Sequence, residues 1–285
     1  MYNRVGSSAP PQTELAAHGN EPCILTLTGK QPLLLGEPKG GLKMADFNPA
    51  HRVIESHEIY STHLAEERTI KVYLPPFYEP SKTYPVLYCH DGNEFFTHGR
   101  IATQANELIA QGRLNPLFIV GIAVNMKHRD DDYGADGDRN GEYRQFVVQE
   151  CLPFVEETYS IDPNLRFMAG ISLGAVASLL LHIHYPEVFS RLLMFSGAFY
   201  ESVQRRVQAV PKLSTLDAYM LVGRQETAVQ TPHGSYDFYS YNQIMRDMLR
   251  LRHAKLAYHE ADGTHIWGFW QKQIPQAMAW LQGHL

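Results

Sequence analysis

The chain has 285 residues, 44% hydrophobic, 11% aromatic and 19% charged, and its 25 Lys+Arg against 30 Asp+Glu leave a formal charge of -5. That length suits one large α/β unit or two small domains, and it buries about three quarters of the unfolded surface without staples. The mild negative balance excludes the basic footprint of a nucleic-acid binder and leaves small molecules and neutral esters as partners.

Three cysteines, Cys23, Cys89 and Cys151, cannot all pair and show no C-x-x-C or zinc spacing, so they read as free thiols of a reducing compartment. The first twenty residues hold no apolar stretch of signal-peptide length behind a basic start. The greasiest window, 175–183, is broken by His182 and is too short to cross a bilayer. The expectation is a cytoplasmic protein with no membrane partner.

Residues 1–48 are rich in Pro, Gly and small polar residues and read as an irregular arm, with apolar spots at Cys23, Ile24 and Leu25 and at Leu33, Leu34 and Leu35. Whether that arm covers a site or mediates a homodimer is open at this level. The remainder, 49–285, reads as one catalytic domain. It opens with two antiparallel strands, near residues 53–57 and 70–74, the second halted by Pro75 and Pro76. Short continuous apolar runs follow at 85–89, 117–122, 166–169, 192–195, 218–222 and 256–258, as expected of strands buried on both faces of a parallel sheet. Helix-period stretches lie between or after them at 101–111, 143–159, 173–184, 239–251 and 270–281. The pattern predicts an α/β fold: a mostly parallel central sheet, an antiparallel hairpin at its start and helices on both faces. In such sheets chemistry sits just past the carboxyl ends of the strands.

The run at 166–169 leads into Gly170-Ile171-Ser172-Leu173-Gly174 and then directly into a helical stretch. G-x-S-x-G in this context is a sharp turn that lifts a serine hydroxyl above the sheet, and the helix start beneath it offers unpaired N–H groups to a developing oxyanion. A serine needs a base, and the base needs a carboxylate to fix its tautomer, in the chain order Ser, acid, His. Glu226 leaves the run at 218–222, and His265 leaves the run at 256–258. Asp237 rivals Glu226 for the acid role, whereas Glu260 and Asp262 read as solvated loop acids.

The stretch from about Arg68 to the C-terminus resembles the putative-esterase family of α/β-hydrolases, which includes enterochelin esterases, S-formylglutathione hydrolases, feruloyl esterases and mycolyltransferases. The matching pieces are Tyr84-Pro85-Val86-Leu87-Tyr88-Cys89-His90-Asp91-Gly92, Phe167-Met168-Ala169 with the serine motif, His184-Tyr185-Pro186-Glu187-Val188-Phe189, and Gly263-Thr264-His265-Ile266-Trp267. The likeness is strongest to the enterochelin-esterase branch. Ala175 departs from the pattern, since many members carry a further glycine there. The resemblance implies an α/β-hydrolase fold and an oxyanion hole made by the amides of Leu173 and Asn93, with Gly92 as the alternative to Asn93. It also implies a substrate border over 125–143, which makes Arg129, Tyr133 and Tyr143 binding candidates, beside Trp267. Tyr236, Phe238, Tyr239 and Tyr241 read either as pocket wall or as core.

The hexapeptide Asp136-Gly137-Asp138-Arg139-Asn140-Gly141 begins like a calcium loop, but its twelfth position is Val147 where a bidentate Glu belongs. No metal or other cofactor is expected. The function these residues predict is a serine carboxylesterase acting on a small-molecule ester through an acyl-enzyme, with siderophore esters among the compatible substrates. The alternatives are acyl transfer to an alcohol and a catalytically inactive binding protein of the same fold.

Overall fold

In the computed structural model, residues 51–285 are described. The arm expected over 1–48 and Cys23 within it lie outside the described residues. The alternating segments at the start form β1 (Val53–Ser61) and β2 (Glu66–Leu74), paired antiparallel with Ile59 opposite Arg68. The apolar runs become β3 (Tyr84–Cys89), β4 (Phe118–Ile122), β5 (Ile161–Ile171), β6 (Arg191–Phe195) and β7 (Asp217–Gly223). A hairpin of two three-residue strands, β8 (Val229–Thr231) and β9 (Gly234–Tyr236), stands apart, and β10 (Lys255–Ala261) closes the main sheet. That sheet has eight strands in the order β1-β2-β4-β3-β5-β6-β7-β10. The pair β2–β4 is antiparallel, and every pairing from β4 through β10 is parallel.

Successive side chains of a strand face opposite sides, and both sides are buried here. Val86, Tyr88, Val120, Met168, Leu192, Met194 and Met220 point into one core. Leu87, Cys89, Ile119, Phe167, Ala169, Leu193, Phe195 and Leu221 point into the other. Two-sided burial is why these segments read as unbroken apolar runs rather than alternating ones.

The second core is covered by α1 (Gly92–Thr97), α2 (Ile101–Ala110) and α9 (Trp267–Gln282) through Phe95, Ile101, Ala105, Leu108, Ile274 and Met278. The first core is covered chiefly by α5 (Leu152–Thr158), α6 (Leu173–His184), α7 (Glu201–Gln208) and α8 (Phe238–Leu251). The short helices α3 (Arg129–Tyr133) and α4 (Asn140–Gln145) lie on the same side through Tyr133 and Tyr143. No helix among the described residues is long and apolar enough to cross a membrane.

The single helix expected over 143–159 is instead α4, a π-helical turn at Phe146–Cys151, and α5. Pro153, inside the first turn of α5, has no N–H for the carbonyl of Gln149, and the widened turn lies directly upstream of it. The hairpin β8–β9 and the helices α1, α3 and α7 go beyond the sequence reading; each spans at most eight residues, too few for a period to stand out. The helix expected from 239 begins at Phe238, because the Asp237 carboxylate accepts the Ser240 amide at 2.9 Å and caps it.

Candidate active site

The loops that follow β3, β5, β6, β7 and β10 all leave the same edge of the parallel sheet. Ser172 sits between β5 and α6 with φ 57 and ψ -119, a strained conformation for any residue but glycine. Its amide donates to the Phe195 carbonyl (2.9 Å), and its carbonyl accepts from Ala175 and Ala198 (both 3.1 Å). These bonds fix the turn from both neighbouring elements. The turn also demands glycine at 170 and leaves little room at 174. A Cβ on Gly170 would lie 2.0 Å from the Gly174 carbonyl oxygen, and one on Gly174 would meet the Asp91 carboxylate at 3.2 Å.

His265 follows β10 and directs Nδ1 to Glu226 Oε2 at 2.7 Å. The imidazole is held edge and face: Phe238 stacks on it with centroids 4.5 Å apart, and Trp270 meets it edge-on at 4.8 Å. Glu226, fully buried just past β7, uses its other oxygen as well. Oε1 accepts from the Gly223 amide (2.9 Å) and from the Ser196 hydroxyl (2.6 Å). Ser196 in turn accepts from Trp270 Nε1–H at 2.8 Å. Both Glu226 oxygens are thus engaged, one by His265 and the other by Gly223 and Ser196, which fixes the carboxylate in place.

The loop after β3 lies beside the serine turn. Asp91 adopts a left-handed conformation (φ 51) ahead of α1, and its carbonyl accepts the amides of Glu94 and Phe95, a turn that does not use those of Gly92 and Asn93. Its carboxylate is clamped by Arg129, Nε to Oδ1 at 2.8 Å and Nη2 to Oδ2 at 2.7 Å. Burial works against the Arg129 charge, but its bonds to Asp91 outweigh that and hold its pKa above the ordinary value. The Arg129 guanidinium also lies over the Tyr133 ring, whose hydroxyl accepts the Asp91 amide at 3.0 Å. Below, His90 Nδ1 is 2.7 Å from the Tyr143 hydroxyl. Burial first, and then the Arg129 charge, push His90 down to about 3, so it is neutral at physiological pH.

Asp91, Glu94, Met126, Arg129, Ile171, Ser172, His265, Trp267 and Trp270 line one open cleft of about 570 Å³. A second cleft has Leu173, Tyr200 and His233 in its wall.

A family model described as Putative esterase matches residues 61–281. The chain belongs to the putative esterase family. By that membership this esterase is a carboxylic ester hydrolase. It is 31% identical over 235 residues to the uncharacterized protein YjcH of Bacillus subtilis, an alignment that covers 81% of this chain and 98% of YjcH. It is 25% identical over 166 residues to the ferri-bacillibactin esterase BesA of the same organism, covering 47% of this chain and 55% of BesA. Among solved structures, a ferulic acid esterase superposes with a TM-score of 0.71 at 18% identity, covering 82% of this chain and 100% of that one. The enterobactin esterase FES of Shigella flexneri gives a TM-score of 0.70 at 18% identity, covering 81% of this chain and 59% of FES. At those identities the two likenesses speak for the α/β-hydrolase fold alone.

Of the residues singled out from the esterase's sequence, Ser172, His265, Arg129 and Trp267 line the first cleft together, and Glu226 lies directly behind His265. Leu173 and Asn93 are the first and second residues of α6 and α1, positions whose amides have no acceptor inside a helix. Asp237, the rival acid, is committed to capping α8 and does not meet His265. Tyr143 is a correction: it is fully buried and bonded to His90, so it supports the loop after β3 from beneath instead of touching a ligand in the cleft. Tyr133 is likewise buried. Glu260 is no free loop acid either, since it lies on β10 and binds Tyr239, Gln243 and Tyr258. No cluster suited to a metal ion occurs among the described residues, and Asp136 of the half calcium loop pairs instead with Arg205 and Arg206.

Sequence reasoning passed over Ser196 and Glu94, and met Asp91 only within the His90-Asp91-Gly92 segment that carries the resemblance. Ser196 follows β6 directly, as Ser172 follows β5, so the strand-end rule that found Glu226 and His265 also pointed to it.

Proposed function

We propose that this esterase is a serine hydrolase that works through an acyl-enzyme on a small-molecule ester, with Ser172 as nucleophile and His265 as base. The observation that carries the reading is the 2.7 Å contact between His265 and the buried Glu226 carboxylate, in a cleft that His265 shares with the strained Ser172 turn. Glu226 accepts a hydrogen bond from Nδ1–H, which leaves Nε2 free to take the proton of the Ser172 hydroxyl. Oγ then bonds to the ester carbonyl carbon, and the carbonyl oxygen becomes an oxyanion facing the Leu173 and Asn93 amides. Collapse breaks the bond to the alcohol oxygen, which leaves with the proton from Nε2. Water attacks the acyl-enzyme by the same route, gives its proton to Nε2, and releases the acid and the serine hydroxyl.

The named activities of its relatives put siderophore and feruloyl esters first among compounds to test. The buried free thiols Cys89 and Cys151 support a reducing, cytoplasmic setting. The test is fluorophosphonate labelling with mapping of the modified residue, beside turnover of a short p-nitrophenyl ester. The expected results are label on Ser172 and a loss of about 10³-fold or more in kcat in Ser172→Ala. Turnover that persists in Ser172→Ala, or label on another residue, overturns the proposal.

A further inference from the structure

The charges that line the cleft do not balance. Asp91 and Glu94 bring two carboxylates, Arg129 is the one Lys or Arg side chain among the lining residues, and both of its donor groups facing Asp91 are used there. Glu94 is left over. The residue is half-buried in the cleft wall, and neither carboxylate oxygen, the sheltered Oε2 included, takes a hydrogen bond or ion pair among the described residues. Buried acceptors are ordinarily satisfied, and an orphaned one is costly. A carboxylate in the first turn of α1 is favourable next to the helix start. A capping role, however, would engage an amide, and Glu94 Oε2 engages none among the described residues.

The rest of the wall fits the same missing partner. Trp267 and Trp270 line the cleft with Glu94. Indole rings beside a carboxylate form the surroundings in which a positively charged nitrogen is stabilised, by charge-assisted hydrogen bonding on one side and by the ring quadrupole on the other. An anionic group would instead meet the uncompensated Glu94 charge.

Resting on the serine-esterase reading, we infer that Glu94 determines specificity and receives a protonated amino group carried by the acyl or alcohol portion of the ester. The cleft then selects cationic esters over neutral ones of the same length, and neutral ones over anionic ones.

The test compares kcat/KM for p-nitrophenyl ε-aminocaproate, heptanoate, ε-hydroxycaproate and monoadipate. A matched series of acetates of amino, plain and hydroxylated alcohols, followed by pH-stat, places the same groups on the other side of the ester. In at least one series the amino ester is favoured, and Glu94→Gln lowers the amino-to-neutral ratio about tenfold or more, chiefly through KM. Glu94→Asp, which restores the charge, retains most of that ratio. A ratio unchanged by Glu94→Gln in both series overturns the inference. So does a hydroxylated ester favoured as strongly as the amino ester, which would assign Glu94 to neutral donors. Failure of the underlying reading shows separately, as neutral-ester turnover that survives Ser172→Ala.

Discussion

Ser172 and Ser196 end neighbouring parallel strands, and both have left-handed backbones, with φ 57 and 45. Yet they meet opposite surroundings. Ser172 borders an open cleft with a histidine in the same wall. Ser196 is fully buried, and its hydroxyl is consumed between the Trp270 indole and the Glu226 carboxylate. The difference teaches that strain and position at a strand end do not make a nucleophile. What sets Ser172 apart, as the proposed nucleophile requires, is the open cleft and the histidine in its wall; the positive-φ serine one strand over instead binds the Glu226 carboxylate.

The contrast can be broken most forcefully at the acid. Glu226→Gln keeps the volume but loses the charge that orients His265, and kcat is expected to fall about 10²–10⁴-fold with the fold retained. A loss below about tenfold would mean that the buried carboxylate is not the partner of the base.

Ser196→Ala gives a smaller effect. It removes one donor from Glu226 and leaves the Trp270 N–H without its acceptor, so stability falls by about 1–3 kcal/mol. If Ser196 is a positioning residue, the acid limb of the kcat/KM profile moves as well, because an acid with fewer donors supports His265 differently. A lower melting temperature with an unmoved pH profile would reduce Ser196 to packing.

The histidines extend the comparison from the cleft to the layer beneath it. His265 borders the cleft, whereas His90 is sealed and lowered to about 3. Its folded pKa lies below the unfolded value, so the unfolded chain binds more protons between the two. Stability therefore falls as pH drops from about 6.5 towards 3, by up to about 1.4 kcal/mol per pH unit. Urea unfolding across that window checks it, and His90→Asn should flatten this part of the slope. An equal slope in the variant would show that His90 is not the group responsible.

The strands buried on both faces were legible because the runs at 85–89, 117–122 and 218–222 carry their signal in composition as well as in period. The elbow was legible because Gly170, Ser172 and Gly174 are close in sequence. The α6 reading, 173–184, coincides with Leu173–His184. The pairing of Glu226 with His265 could be aimed at, since both follow strand ends, but the choice over Asp237 needed space: only there does Asp237 show its commitment to the α8 cap. Tyr143 shows the opposite limit. A tyrosine in a polar segment reads as a surface group, and nothing local reveals that Arg68, Phe146 and His90 enclose it. The break at 146–151 was likewise hidden, because Pro153 is compatible with the first turn of a helix and equally with an interruption upstream.

Two of the three indoles in the chain, Trp267 and Trp270, stand in the cleft wall. The third, Trp280, packs on His284 near the far end of the same helix, about 20 Å along its axis from Trp267. The molecule therefore carries a built-in optical reporter: two of its three indoles stand where an acyl group would arrive, and the third is far enough away to serve as an internal reference.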